Sequence, residues 1–106
     1  MIEELRTRYM PRFLEAARLR ISRGREHLEA KRLGPVASEL HMLAGDAAIL
    51  ELREVADAAR AGEVAARSFG QTADQDSLDA CASALERIAR ELDRLKPPAD
   101  ISRCES

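Results

Sequence analysis

A chain of 106 residues has room for one compact domain, and its 45% apolar and 34% charged residues suit a core beneath a well-solvated surface. The formal charge of −2, with both signs interspersed, offers no basic stripe for a nucleic-acid backbone, and Tyr9, Phe13 and Phe69 are too few for base stacking. No apolar run approaches the roughly 20 residues that span a bilayer, and Met1-Ile2-Glu3-Glu4 does not open a secretory signal, so neither nucleic acid nor membrane is expected as a partner.

The apolar share is mostly Ala and Leu, which with Arg and Glu favour helix over strand. Ile2 to Met10 reads as a short extra N-terminal helix, ended by Pro11, whose missing N–H suits the first turn of the next helix. Leu14, Ala17, Ile21, Gly24 and Leu28 then recur at three- and four-residue spacing, predicting a helix to about Leu33, where Gly34-Pro35 punctuates the chain. Pro35 opens a second long helix with the stripe Leu40, Leu43, Ala47 and Leu50. A third stripe, Leu52, Val55, Ala59, Gly62, Ala66 and Phe69, follows with no breaker between, so a turn near Leu50–Leu52 is inferred from the change of phase alone. Gly70 to Asp74 reads as a loop, Asp74 or Asp76 as a cap, and Leu78, Cys81, Leu85, Ile88, Leu92 and Leu95 as the last stripe before Pro97-Pro98. The expected fold is all-α: an antiparallel up-and-down four-helix bundle with a short extra N-terminal helix, one domain over residues 1–98 and a polar tail over 99–106. Cys81 and Cys104 lie far apart without ligand spacing and read as reduced thiols of a cytoplasmic protein, in the core and the tail respectively.

His41 has a distinctive setting. On a helix its neighbours three and four residues away are Ala37, Ser38, Ala44 and Gly45, with Ala48 a turn further, and all are small. A mid-helix glycine costs about 1 kcal/mol relative to alanine, and folding does not require Gly45. A cleared patch beside an accessible imidazole suits attack by its nitrogen on a group carried by a second protein. The bland alternative is a boundary histidine on a surface helix, or a plain helical scaffold or dimerisation domain. His27, among Arg25, Glu26 and Glu29, reads as solvated, and two lone histidines give no metal pattern.

The stretch His41-Met42-Leu43-Ala44-Gly45-Asp46-Ala47-Ala48-Ile49-Leu50-Glu51-Leu52 resembles the phosphoacceptor signature of histidine-phosphotransfer (HPt) domains, and the bundle plan extends the likeness from Pro11 to Leu95. The resemblance implies a phosphoryl carrier of a two-component phosphorelay, with no kinase domain of its own, whose His41 exchanges a phosphoryl group with a receiver-domain aspartate through Nε2. It implies a receiver domain or hybrid histidine kinase as partner, no cofactor on this chain and Mg²⁺ on the receiver; the chain itself is expected to be a monomer. The chain departs from the family pattern at Ala44, where a lysine is frequent, at Asp46, usually small and uncharged, and at Glu51, where a turn glycine is common. These departures motivate the alternative of a pseudo-HPt adaptor that binds a kinase or response regulator without being phosphorylated.

Around the histidine, Glu63 falls where the family often places a Gln that orients the ring, and Arg60 and Arg67, one turn either side, are candidate phosphate counter-charges. Ala44 and Gly45 complete the supporting set. Met10, Phe13 and Met42 are candidates for an apolar docking surface, with a core position equally open for Phe13.

Overall fold

The computed structural model describes residues 2–95, with nothing stated of the Ile2 and Leu5 side chains, and these residues form four α-helices without a strand among them. The helices are α1 (Ile2–Glu29), α2 (Leu33–Ile49), α3 (Arg53–Thr72) and α4 (Gln75–Arg94). The expected tail and Cys104 lie outside the described residues.

The separate N-terminal helix expected ahead of Pro11 is absent, because Pro11 sits inside the 28-residue α1. An interior proline costs a helix about 3 kcal/mol. Here the chain is held on both sides of it, by Met10 against the core and by buried Phe13 and Leu14. Packing outweighs the local penalty.

The turns also differ from the glycine-based reading. Gly34 and Pro35 lie in the first turn of α2, and Gly70 lies inside α3, which runs on to Thr72. The chain reverses instead at three non-glycine residues in the left-handed region, Lys31 (φ 59°), Glu51 (φ 57°) and Ala73 (φ 53°). After α1, Arg32 N–H donates to His27 O (2.8 Å) and Lys31 N–H to Leu28 O (2.9 Å). After α2, Leu52 N–H donates to Ala47 O (2.9 Å) and Glu51 N–H to Ala48 O (3.0 Å). Both are the paired bonds of a Schellman end, and a single bond from Ala73 N–H to Phe69 O (2.7 Å) closes α3. His27, expected to be solvated, is half-buried against the first of these turns. Asp74 stands at the N-cap position of α4, and Asp76 lies in its first turn.

The four helices pack in a ring in which each touches two others. Contacts run in opposite order along neighbours. Arg6 reaches the end of α2 at Leu50 O, whereas Arg20 meets Glu39 near its start. Likewise Glu54 pairs with Arg87, whereas Ser68 meets Ser77. The predicted stripes supply the core: Leu40, Leu43, Val55, Cys81, Leu85, Ile88 and Leu92 are fully buried. Burial pushes the Cys81 thiol above its ordinary range, making it a packing residue. Gly62 is the point of closest approach, since a Cβ there would lie 2.8 Å from Leu40 Cδ1 and 2.9 Å from Ala84 Cβ.

Candidate functional site

That contact brings α2 against α3 one residue before Glu63 and one before His41. The Glu63 carboxylate meets His41 Nδ1, with Oε2 at 3.2 Å and Oε1 at 3.3 Å. A carboxylate can only accept, so the ring nitrogen that faces it carries the proton. In the neutral ring the lone pair is then on Nε2, which has no hydrogen-bond partner among the described residues. The His41 side chain is 69% exposed, whereas Glu63 is only 16% exposed. The contact anchors Nδ1–H and leaves Nε2 facing solvent, the nitrogen through which a neutral imidazole can act as a nucleophile.

Glu63 is held from its other side. Arg67, one turn along α3, donates from Nε (3.0 Å) and Nη2 (2.8 Å) to Glu63 Oε2. Partial burial raises the Glu63 carboxyl, but the Arg67 hydrogen bonds, then the hydrogen bond and charge of His41, outweigh it and hold the group below its ordinary range. Arg60, level with Ala44 in this register, is bound instead to Asp57 at 3.5 Å and remains exposed. The structure thus joins His41, Glu63 and Arg67, and leaves Arg60 beside them on the same face of α3.

The patch of small residues divides in two. Ala37 and Ala44 are buried (3% and 5% exposed) and serve the close packing of α2, while Ser38, Gly45 and Ala48 lie at the surface. No atom lies within 4 Å of a Cβ built on Gly45, so this position is open to an approaching molecule. Asp46 follows His41 by five residues, about 140° around the helix, which turns its exposed carboxylate away from the ring.

Of the expected docking residues, Met42 is exposed beside His41. Phe13 is not a surface residue: at 7% exposure it belongs to the core, drawn inward with Leu14 and Ala17 on the buried stripe of α1. Met10 is partly buried and lines a hollow with Pro11, Leu52 and Leu95, at the end of the bundle where α2 turns into α3. Ile49, which sequence reasoning passed over, is 66% exposed two turns after Met42 on the same side of α2. Its spacing of seven from Met42 was the available signal. Arg6, also passed over, donates from Nε to Leu50 O (3.0 Å) and from Nη2 to Glu51 O (3.3 Å), satisfying carbonyls at the end of the histidine-bearing helix.

No group of three or more His, Cys, Asp or Glu side chains that could hold a metal occurs among the described residues. No described helix is long and apolar enough to cross a membrane. The family model for the Hpt domain matches residues 8–96. This chain belongs to the Hpt domain family. Comparison with curated proteins and with solved structures returned no match. Hpt domains are phosphoryl-carrier modules of two-component signalling, which lack kinase activity and interact with receiver domains and histidine kinases.

Proposed function

We propose that this Hpt domain is a working phosphorelay carrier in the cytoplasm, an antiparallel up-and-down bundle acting as a monomer, with His41 as phosphoacceptor. The observation that carries the reading is the Glu63 carboxylate at 3.2 Å from Nδ1, which leaves Nε2 exposed with its lone pair. The donor is an acyl phosphate on a receiver-domain aspartate. Nε2 attacks phosphorus, the N–P bond forms as the bond to the aspartyl oxygen breaks, and the aspartate leaves as carboxylate. The ring gains positive charge as the bond forms, and Glu63 offsets it while keeping the Nδ1 proton. Transfer to a second receiver reverses these steps. Since phosphoryl transfer depends mainly on positioning and charge neutralisation, this chain supplies an oriented ring and a docking face, and the receiver supplies Mg²⁺.

The docking face centres on Met42, Gly45 and Ile49. Met42 and Ile49 give it exposed apolar area, and Gly45 gives it clearance. The partner is a receiver domain, free or as part of a hybrid kinase. The alternative of an unphosphorylated adaptor has one observation behind it: the neighbours of His41 on α2 are Ala37, Ser38, Ala44 and Gly45, so this helix places no cation beside the ring.

The deciding experiment is phosphoryl transfer to the purified chain from a panel of phosphorylated receiver domains. The expected product is an acid-labile, base-stable label that is lost in His41→Gln, with unchanged helicity by circular dichroism. Full labelling of His41→Gln would sink the assignment. Receiver binding that ignores this substitution, without label on the wild type, is the result the adaptor requires.

A further inference from the structure

We propose that Arg67 is a positioning residue of this site, acting on His41 through Glu63 and not as a direct ligand of the phosphoryl group. The inference rests on the reading of His41 as phosphoacceptor. Both fork donors of Arg67 are spent on one oxygen, Glu63 Oε2, at 3.0 and 2.8 Å, and that same oxygen lies 3.2 Å from His41 Nδ1. The carboxylate is therefore gripped between a guanidinium and an imidazole, both far more exposed than it is. The i,i+4 order, with the acid N-terminal to the base, is the favourable one on a helix.

The site needs this grip for two reasons. A glutamate side chain free to change rotamer would release the Nδ1 proton from its fixed acceptor, and with it the aim of Nε2. A bare carboxylate would also repel the phosphoryl group that docks on the same ring. Arg67 offsets part of that charge at its source.

Among the described residues no cation other than Arg67 and the imidazole itself reaches the Glu63 carboxylate. On α2 the neighbours of His41 are Ala37, Ser38, Ala44 and Gly45. The acidic groups of that helix are Asp46, turned away, and Glu39, which is occupied by Arg20 at 3.0 Å and Arg23 at 3.9 Å from α1. On α3, Arg60 is engaged by Asp57.

The test is a double-mutant cycle in the full chain, using a receiver that labels the wild type and comparing Arg67→Met, Glu63→Gln and the double variant. Arg67→Met is expected to slow phosphoryl acceptance about three- to fivefold, the size of a well-aligned exposed ion pair, with unchanged circular dichroism. In the Glu63→Gln background it is expected to add nothing, and Arg67→Lys, which keeps the charge but not the fork, is expected to recover part of the rate. The Glu63 carboxyl, followed by ¹³C resonance, should titrate at higher pH in Arg67→Met. Additive losses in the cycle would overturn the proposal in favour of direct phosphate contact, and an unmoved Glu63 titration would overturn the grip itself. If no receiver labels the wild type, the phosphoacceptor reading fails alone, and the Glu63 titration still decides whether Arg67 holds the carboxylate.

Discussion

At the scale of single residues, one half-buried acid organises this surface. Glu63 is flanked by two exposed partners, and its folded carboxyl lies below the ordinary range because Arg67 and His41 outweigh the burial that would raise it. A depressed carboxyl contributes stability that is fully present above its unfolded pKa and fades as pH falls through the folded one. Thermal unfolding of the wild type should therefore lose stability on acidification, with part of that loss due to Glu63. Glu63→Gln should be less stable than wild type by under about 1 kcal/mol at neutral pH, since its partners are largely exposed. The gap should close below the carboxylate range. A gap that persists at low pH would assign the effect to packing. Glu63 was legible in the sequence because a hairpin turning near Glu51 places it level with His41. The grip of Arg67 on it was not, because i,i+4 spacing permits an ion pair without saying whether the acid already serves another group.

At the scale of elements, the helix ends were the least legible feature. Gly34 and Gly70 looked like stops, yet both are helical, while Lys31, Glu51 and Ala73 carry the positive φ that reverses the chain. An L-residue in this region pays roughly 1–2 kcal/mol relative to the right-handed helix, and glycine does not. Ala73→Gly should therefore stabilise the domain by about 1 kcal/mol or slightly less, because glycine also makes the unfolded chain more flexible. A melting temperature higher by a few degrees is the expected result, and a fall would show that Ala73 is not strained. The misreading has a physical source. Glycine is needed only where nothing else holds the turn, and here buried Leu33 and Leu52 anchor the chain just beyond Lys31 and Glu51. The same reasoning covers Pro11, whose local penalty is met by neighbours on the core.

At the scale of the molecule, Gly62 links the fold to the site. Alanine there gains about 1 kcal/mol of helix propensity but places its Cβ against Leu40 and Ala84, the second of which is tied to backbone. Overpacking of this kind costs about 1–3 kcal/mol, so Gly62→Ala should lower the melting temperature. It should also part α2 from α3 and weaken the His41–Glu63 contact, seen as a change in the His41 ring resonances. A variant that melts higher than wild type would show that the helices separate without cost. The first helix is fastened by arginines as well as by its apolar stripe: Arg6 on the carbonyls ending α2, Arg18 on Asp93 of α4 and Arg20 on Glu39. Of these, Arg20–Glu39 is the best shielded from water.

The sequence by itself determined the helical class, the four apolar stripes and the histidine on a cleared face, because each follows from a period of 3.6 residues along one helix. It also placed the α2–α3 turn near Leu50–Leu52, where the stripe changes phase. Only the tertiary structure decided which side chains meet across helices. Phe13 went inward and Met42 outward, Arg67 took the carboxylate and Arg60 did not, and a glycine in one stripe became the closest contact of three helices. Periodicity fixes the face of a residue within its own helix. Its partner is fixed by the rotation and spacing of the neighbouring helix, which the packed core alone sets.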